Sequence, residues 1–388
     1  MKVKGFIKDI SGIFRITKAR NTAIKNANGK EIEEDKITQL ARILHPGKVK
    51  GYLVDIKQES KDSKRLTFAV NEPLYFKAGS YLTIEAKIGE SIITRPYSIV
   101  NSPLNARESK RVEIIVKDYP QGIMSHYLTN NTKIGDIFDL EVGLGDFNID
   151  HLREKEHLTF IAGGVGITPF IALAKDVKER NLPYQITILY GSEDENDIIA
   201  KEELESLRSD IINIVYVISG KNSKYQGEKG FINRDIISKY AHKDSSYFFS
   251  GPEVMFDYIK EELKILNVDL RKVRYEASSI SDISKDPDFK KELIDKEFNI
   301  LVHQGLKEMH IKAKADESIA TALERSGIRI HTSCRSGRCG VCRIKVIKGT
   351  YFVPQKNDKR RETDKEYNYV YSCSTYPTSD LEIKININ

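Results

Sequence analysis

Four cysteines stand near the C-terminus, and none occurs in the first 333 residues: Cys334, Cys339, Cys342 and Cys373. They are spaced as C-x4-C-x2-C, and the fourth follows after a further 30 residues. Thiolates are soft donors that suit iron–sulfur clusters, and this spacing is typical of 2Fe–2S ligands. Structural zinc sites, the alternative, usually pair two short C-x2-C hairpins, whereas here the fourth cysteine stands alone. We therefore predict that the four thiolates hold a 2Fe–2S cluster.

The sequence around the cysteines contains the elements needed to present them. In the loop HTSCRSGRCGVC, Gly337 and Gly340 allow the backbone to curl and to point N–H groups at the sulfurs. A helix is predicted over 318–326, with Asp316 as a candidate cap. Short alternating strands are predicted at 298–303, 308–313, 343–347 and 381–385. Residues 296–388 resemble a plant-type ferredoxin domain, which is an α+β fold of the β-grasp kind.

A glycine-rich turn, IAGGVGITPF, opens the segment 151–276. Its glycines permit a tight turn and close backbone approach, Thr168 can cap the following helix, and Pro169 suits the first helical turn. A helix N-terminus here would bind a pyrophosphate through its N–H groups, although the turn is not the G-x-G-x-x-G fingerprint. Helices are predicted at 170–180 and 254–266, between strands at 158–162, 186–190, 214–218, 247–249 and 272–275. This alternation predicts a doubly wound α/β sheet of parallel strands.

Acidic residues follow the second of these strands, in the run YGSEDEND. An acidic residue at this position can accept a hydrogen bond from an adenosine ribose hydroxyl, whereas a basic one favours a 2′-phosphate. Glu193 and Asp194 would repel that phosphate, so the sequence favours NADH over NADPH. Lys221 and Lys224, after the third strand, would reverse this preference if they faced the nucleotide, and are otherwise ordinary surface lysines.

Two motifs lie in the segment 48–150, which reads as a small antiparallel β-barrel of six strands at 51–56, 66–70, 82–86, 97–100, 112–116 and 137–142. In the first motif, RPYS, Arg95 and Tyr97 face one side of a strand, where the guanidinium could bind a phosphate and the phenol could pack on a flavin. In the second, QGIMS, Gly122 permits close approach, and Met124 and Ser125 could donate to a pyrophosphate. Each motif alone is also compatible with an ordinary strand or helix cap.

The order of the motifs RPYS, GIMS, GGVGITP and SGP resembles that of the ferredoxin–NAD(P) reductase superfamily, over residues 48–388. Members with a C-terminal plant-type ferredoxin include oxygenase reductase components and the NADH reductase of the hybrid cluster protein. The resemblance implies FAD in preference to FMN, because the GIMS turn is similar to a pyrophosphate-binding one. The implied flavin contacts are Arg95, Pro96, Tyr97, Ser98, Val116, Lys117, Gly122, Met124, Ser125 and Thr168. The implied NAD(P)H contacts are Gly163, Gly164, Gly166, Glu193, Asp194, Ser250, Gly251 and Pro252.

The sequence departs from this superfamily in two places. Ser250 stands where relatives commonly have a cysteine near the nicotinamide, although a hydroxyl can still contact the ring. The nucleotide-binding segment ends in RYEASSIS, so that Glu276, Ala277 and Ser278 stand where many relatives have an aromatic residue beside the flavin.

These features predict an enzyme, an NAD(P)H-dependent flavin and iron–sulfur oxidoreductase. A hydride carries two electrons and a 2Fe–2S cluster accepts one at a time, so a flavin is needed between them. The predicted path runs from NADH through FAD to the cluster and then to a protein acceptor of the oxygenase or hybrid cluster protein type. No general acid or base is required, and His126 and His331 are interpreted as surface or packing residues.

Two other functions remain open at this point. One is an electron-channelling subunit of a larger flavoenzyme complex, as in dihydroorotate dehydrogenase, but such subunits have a shorter gap before the fourth cysteine. The other is a cluster-based redox sensor, which the complete nucleotide and flavin motifs disfavour.

The formal net charge of +6 is distributed unevenly along the chain. Residues 1–50 carry +7, residues 51–295 carry −7, and residues 296–388 carry +6. Arg335, Arg338 and Arg343 stand beside the cluster ligands, which predicts an acceptor with an acidic docking face and a transfer rate that falls with salt. No nucleic-acid-binding motif accompanies the basic segments.

The remaining segments are predicted to connect and extend these domains. Residues 277–295 are polar and read as a linker, which either permits domain motion or lies docked on the surface. Residues 1–47 form an N-terminal extension with a predicted helix over 32–44 that stops before Pro46. No apolar run approaches the ~20 residues of a membrane span, and the N-terminus lacks the features of a signal peptide, so a cytoplasmic protein is expected.

Overall fold

The computed structural model describes residues 6–26, 47–119, 122–220, 223–277, 283–355 and 358–385. Its contacts divide the chain into two compact units, Met1–Leu44 and His45–Asn388. In the first unit, α1 (Phe6–Asn26) exposes the apolar side chains Ile13, Phe14 and Ile16. The helix predicted over 32–44 lies outside the described residues. No helix of the described part of the chain is long and apolar enough to cross a membrane.

Six antiparallel strands form the first sheet of the second unit. They are β1 (Lys48–Ser60), β2 (Ser63–Ala69), β3 (Tyr81–Ile88), β4 (Ser91–Ser98), β5 (Arg111–Lys117) and β6 (Ile137–Leu144). The order in the sheet is β4-β3-β6-β1-β2-β5, and Ile99 bridges Ile114, so that the chain after β4 meets β5. Inward-facing side chains such as Leu66 and Phe68 are fully buried. The predicted antiparallel barrel is confirmed.

The fourth strand of this barrel begins earlier than its sequence indicates. It was expected at 97–100 and lies at Ser91–Ser98, because Gly89 takes a positive φ of 59° and turns the chain back after Ile88. This places the whole RPYS motif on a strand at the sheet edge. Two helices follow, α2 (Pro103–Ser109) and α3 (Ile123–Asn130).

The second sheet is parallel throughout. Its strands are β7 (His157–Gly163), β8 (Gln185–Ser192), β9 (Ile212–Ile218), β10 (Glu228–Lys229), β11 (Ser245–Gly251) and β12 (Val273–Ala277), in the order β10-β9-β8-β7-β11-β12. Four helices cover it: α4 (Thr168–Glu179), α5 (Lys201–Leu207), α6 (Arg234–Tyr240) and α7 (Glu253–Ile265). Phe160 and Ile161 are both fully buried in different cores, because successive strand residues face opposite helical layers. The strand order reverses between β7 and β11, and such sheets bind ligands at the carboxyl ends beside this point.

The third sheet contains five strands around the C-terminal cysteines. They are β13 (Glu297–Gln304), β14 (Lys307–Lys314), β15 (Arg343–Lys348), β17 (Tyr369–Tyr371) and β19 (Leu381–Ile385), and β16 (Tyr351–Phe352) pairs separately with β18 (Tyr376–Pro377). The helices are α8 (Ile319–Arg325) and α9 (Glu362–Glu366). The expectation that Asp316 caps α8 is wrong, because Ser318 is the N-cap and accepts a hydrogen bond from the Thr321 N–H at 3.3 Å. The predicted α+β fold is confirmed.

The chain between the second and third sheets is packed after residue 283. Two short 3₁₀ turns, Ile283–Lys285 and Lys291–Leu293, occupy this stretch. Ile283, Phe289 and Leu293 are buried against the third sheet's domain, in a cluster with Ala315 and Tyr376. Residues 283–293 therefore lie docked, whereas residues 278–282 lie outside the described part.

Candidate functional site

A cavity of about 1370 Å³ is lined by residues from all three sheets and their connections. Fourteen predicted site residues line it: Arg95, Pro96, Tyr97, Ser98, Lys117, Gly122, Met124, Ser125, Gly166, Thr168, Ser250, Cys334, Cys339 and Cys373. The other eight predicted residues do not: Val116, Gly163, Gly164, Glu193, Asp194, Gly251, Pro252 and Cys342. The barrel motifs, the glycine turn and the cysteine loop, which are far apart in sequence, thus meet at one place.

The barrel side of the cavity is formed by β4. Arg95 and Tyr97 alternate with Pro96 and Ser98 along this strand, and all four line the cavity. Burial raises the pKa of the Tyr97 phenol well above its usual range. Burial and the nearby Arg335 guanidinium lower the pKa of Arg95. In this site a half-buried cation lies beside a neutral aromatic ring, a combination that can bind a phosphate and a planar ring system.

The first turn of α3 borders the same part of the cavity. Gly122 is its N-cap, and the Ser125 hydroxyl donates to the Gly122 carbonyl at 3.1 Å. A Cβ at Gly122 would collide with that hydroxyl, so a larger residue there would displace the Ser125 side chain. The free N–H groups of a helix N-terminus favour anions. Met124 is almost fully buried, so its side chain packs in the barrel core.

The glycine turn forms the side of the cavity that belongs to the second, parallel sheet, and it packs against the end of β11. Gly164–Ile167 form a 3₁₀ turn, and a Cβ on Gly166 would lie 2.5 Å from the Ser250 carbonyl carbon. The expectation that Thr168 caps α4 is wrong, because the 3₁₀ turn leads directly into the helix and Ile167 is the N-cap. The Thr168 hydroxyl donates instead to the Val165 carbonyl at 3.0 Å.

Glu276, on β12, lines the cavity beside the barrel motif. The Ser98 hydroxyl donates to its carboxylate at 3.4 Å. Burial raises the pKa of Glu276 to about 7, and the Ser98 hydrogen bond opposes that shift. Near neutral pH the carboxyl is therefore protonated in a substantial fraction of molecules, which limits the negative charge in this region.

The acidic turn after β8 lies apart from the cavity. Glu193 and Asp194 are exposed, and the Asp194 carboxylate accepts from the Asn196 N–H at 2.9 Å. Glu195, which the sequence reasoning did not single out, accepts from the Ser223 hydroxyl and from the Lys224 N–H. The Ser223 hydrogen bond lowers the pKa of Glu195. Lys221 lies outside the described residues.

The four cysteines lie together as two interacting pairs. Cys334 lies beside Cys339 and Cys342 lies beside Cys373, and Cys334 is also close enough to Cys342 and Cys373 to affect the pKa of their thiols. Gly337 and Gly340 both take φ values of 73°, as a curled loop requires. The N–H groups of Ser336 and Cys339 point at the Cys334 sulfur, at 3.5 and 3.4 Å. Such donors suit the anionic sulfur of an iron–sulfur site, so the donor set fits the predicted cluster.

The cysteine domain contacts both other domains through residues that the sequence reasoning missed. The Tyr81 hydroxyl hydrogen-bonds to the Ser333 hydroxyl at 2.9 Å, and the Glu324 carboxylate accepts from Arg95 at 2.9 Å. Arg338 lies over the Tyr275 ring, 4.5 Å from its centroid. No local pattern signals these residues, because each contact joins distant parts of the chain.

Two of the three arginines expected to face an acceptor contact other residues of this chain, although Arg338 remains exposed. Arg335 donates to Glu324 at 2.6 Å and to the Thr321 hydroxyl at 3.2 Å, while Arg338 stacks on Tyr275. Arg343 remains exposed, although it also pairs with the buried Asp364 at 3.0 Å. The basic residues beside the cluster are therefore divided between an internal interface and the outer surface.

Comparison with known proteins assigns a family to each of the three parts. Residues 50–149 match an oxidoreductase FAD-binding domain, residues 160–261 an oxidoreductase NAD-binding domain, and residues 302–378 a 2Fe-2S iron-sulfur cluster binding domain. The chain is 23% identical over 350 residues to the glycine betaine monooxygenase reductase subunit of Chromohalobacter salexigens, covering 85% of this chain and 94% of that one. It is 24% identical over 331 residues to NADH oxidoreductase HCR of Escherichia coli, covering 84% and 94%.

The fold is also similar to that of a solved structure, phthalate dioxygenase reductase. The TM-score is 0.65 at 19% identity, and the match covers 88% of this chain and 98% of the other. The shared architecture comprises the barrel, the parallel sheet and the cysteine-bearing domain.

Proposed function

This chain is a flavin reductase of the ferredoxin–NAD(P) reductase type with a C-terminal 2Fe–2S ferredoxin domain, and we propose that it is the reductase of a two-component electron-transfer system. In this role it takes electrons from NADH and passes them, through FAD and the 2Fe–2S cluster, to a separate protein. The proposed acceptor is an oxygenase or a hybrid cluster protein, and the names of the monooxygenase and dioxygenase relatives support the first of these. The observation that carries the proposal is the single cavity shared by the barrel motifs, the glycine turn and three cysteines.

Different residues around the cavity are proposed to bind the flavin and the nicotinamide. Arg95 and the N-terminal turn of α3 supply positive charge and N–H donors for the flavin diphosphate, and Tyr97 lies where it can pack on the ring. Gly166 and Ser250 border the proposed space for the nicotinamide, and Thr168, which also lines the cavity, is a proposed flavin contact. The flavin, when bound, supplies the conversion between a two-electron hydride donor and a one-electron cluster.

The nucleotide preference rests on the acidic turn after β8. Glu193, Asp194 and Glu195 place three carboxylates at the carboxyl end of a strand next to β7, where they disfavour a 2′-phosphate by charge repulsion. Gly163, Gly164, Gly251 and Pro252 shape the loops on which the nucleotide would lie.

An anaerobic titration with NADH tests the proposed function. The purified protein is expected to be yellow-brown, and NADH is expected to bleach both the flavin and the cluster absorbance, whereas NADPH at equal concentration acts more slowly. Failure of both nucleotides to bleach either chromophore would contradict the proposal.

The outer surface beside the cluster is the proposed docking site for the acceptor. Cys339 is exposed, the Val341 side chain is 50% exposed, and Arg343 and Lys345 project from β15 beside the Tyr369 ring. A basic surface with an apolar residue at its centre suits an acceptor with an acidic face.

We expect Lys345→Glu to slow electron transfer to an acidic acceptor by about tenfold at low salt, because charge attraction speeds the encounter. The measurement uses an acidic flavodoxin and a basic cytochrome c as artificial acceptors, over a series of salt concentrations. The flavodoxin rate of the wild type should fall with salt, and the variant should lose much of that dependence. Lys307→Glu is the matched control, because Lys307 is exposed on β14, the edge strand of the same sheet that lies farther from β15. A salt-independent flavodoxin rate would rule out the docking surface.

A further inference from the structure

A buried carboxylate stands at the junction between the ferredoxin domain and the flavin-binding barrel. The Glu324 side chain is only 2% exposed. It accepts from the Arg95 guanidinium of β4 at 2.9 and 3.1 Å, and from the Arg335 guanidinium of the cysteine loop at 2.6 Å. One carboxylate therefore joins the arginine placed at the flavin diphosphate to the arginine that follows the first cluster ligand.

The strand that Glu324 contacts is an edge of the barrel sheet. β4 is the outermost strand, so N–H groups on its free side have no strand partner. The Thr94 N–H points at the Glu324 carboxylate at 3.5 Å, and the Arg95 guanidinium donates to the Thr94 carbonyl at 2.8 Å. The carboxylate thus satisfies polar groups of the barrel that would otherwise require water.

This ion pair has strict geometric requirements. Charges that are removed from water are costly unless they are paired with good geometry, so separating Arg95 from Glu324 would leave Arg335 as the one arginine paired with that carboxylate and would deprive the Arg95 guanidinium of its carboxylate partner. The other barrel contacts are less demanding. Arg329 pairs with Glu85 through a side chain that is 50% exposed, and the contact between Tyr81 and Ser333 joins two neutral hydroxyls. Glu324 is consequently the contact that best defines one docked position of the ferredoxin domain.

We propose that Glu324 is a positioning residue that holds the ferredoxin domain on the flavin-binding barrel and thereby sets the rate of electron transfer from flavin to cluster. The inference rests on the proposed function. Each transfer moves one electron from reduced flavin to the oxidised cluster, and Glu324 itself exchanges neither an electron nor a proton. Because electron transfer slows steeply with distance, loosening the docked position slows this step without altering hydride transfer from NADH.

The test compares Glu324→Gln with wild type as the full-length protein carrying its cofactors. In anaerobic stopped-flow experiments with NADH, flavin reduction should be unchanged. The following reduction of the cluster should slow by about 10- to 100-fold, because a loosened domain no longer holds the two reacting centres in one productive position. The flavin content, the EPR signal of the cluster and its reduction potential should match wild type. Glu362→Gln, a carboxylate 88% exposed on α9 of the same domain, is the matched control and should behave as wild type.

Hydrogen exchange provides a readout that does not depend on turnover. In Glu324→Gln the amides of β4, the Thr94 amide above all, should exchange faster than in wild type or in Glu362→Gln. Glu324→Asp, which keeps the charge, should give a rate of cluster reduction between those of wild type and Glu324→Gln. If Glu324→Gln folds poorly, the comparison is made with Glu324→Asp. Arg329→Gln, at the exposed rim, should have little effect.

Three results would overturn the inference. One is an unchanged rate of flavin-to-cluster transfer in Glu324→Gln. The second is a slower rate explained by loss of flavin, and the third is a slower rate with an altered cluster EPR signal, since either would place Glu324 in cofactor binding. Failure of the proposed function would look different, because NADH would then not reduce the wild-type flavin. In that case the same variants are compared after photochemical reduction of the flavin.

Discussion

Cys373→Ser is expected to divide the electron path at the flavin. NADH should reduce the flavin of the variant as in wild type, and ferricyanide, which takes electrons directly from flavin, should still be reduced. Reduction of a protein acceptor that depends on the cluster should fall by at least about 100-fold, because loss of one cluster ligand costs more than the 10- to 100-fold typical of outer-shell changes.

The structural reason lies in the position of Cys373. It lies in the 3₁₀ turn Ser372–Ser374 directly after β17, is 5% exposed, and lies beside Cys342. A serine hydroxyl is a hard donor with a very high pKa, and replaces a soft thiolate poorly as a ligand. Burial leaves little room for an outside ligand to substitute for it.

Ser374→Ala is the matched control for this variant, since it changes the next residue of the same turn and keeps all four thiols. The Ser374 hydroxyl donates to the Tyr371 carbonyl, at 3.3 Å. EPR spectra of the dithionite-reduced proteins report the cluster directly. A Cys373→Ser protein with a full 2Fe–2S signal and normal acceptor reduction would show that Cys373 is not a required ligand.

Local sequence patterns were sufficient for the parts of this molecule that neighbouring residues determine. Three of the four cysteines lie within one nine-residue loop, and the parallel strands can be recognised as apolar runs between helices. The errors are also local. The start of β4 depends on the positive φ of Gly89, and the 3₁₀ turn before Thr168 moves the helix cap to Ile167. Neither backbone conformation has a strong signal in the residues concerned.

The interfaces could not be predicted in this way, because their partners are far apart in sequence. Arg95 and Glu324 are separated by 229 positions, and Tyr81 and Ser333 by 252. The sequence pattern of α8 does not show whether a carboxylate on this helix faces a neighbouring domain or faces solvent. The number of arginines near the cysteines likewise did not show which of them face an acceptor, because Arg335 and Arg338 contact other parts of the chain.

The contact between the glycine turn and β11 leads to a second large effect. Gly166→Ala is expected to reduce the rate of flavin reduction by NADH by about 100-fold, while flavin content and the dithionite-reduced cluster signal remain. A Cβ on Gly166 would lie 2.5 Å from the Ser250 carbonyl carbon and 2.7 Å from the Gly251 Cα. Both are backbone atoms of a central strand, so they cannot move aside as a flexible side chain would.

The added methyl group must therefore push the glycine turn away from Ser250, at the place assigned to the nicotinamide. Gly191→Ala is the matched control, because it makes the same change near the end of β8, the strand next to β7. The nearest atom to the added Cβ would be the Ala162 carbonyl oxygen, at an ordinary contact distance of 3.5 Å. Stopped-flow reduction over a range of NADH concentrations separates weaker binding from a slower hydride step. If Gly166→Ala reacted with NADH as Gly191→Ala does, the close approach of these two loops would have no part in placing the nicotinamide. A selective loss in Gly166→Ala would instead locate the hydride donor beside the contact between the glycine turn and β11.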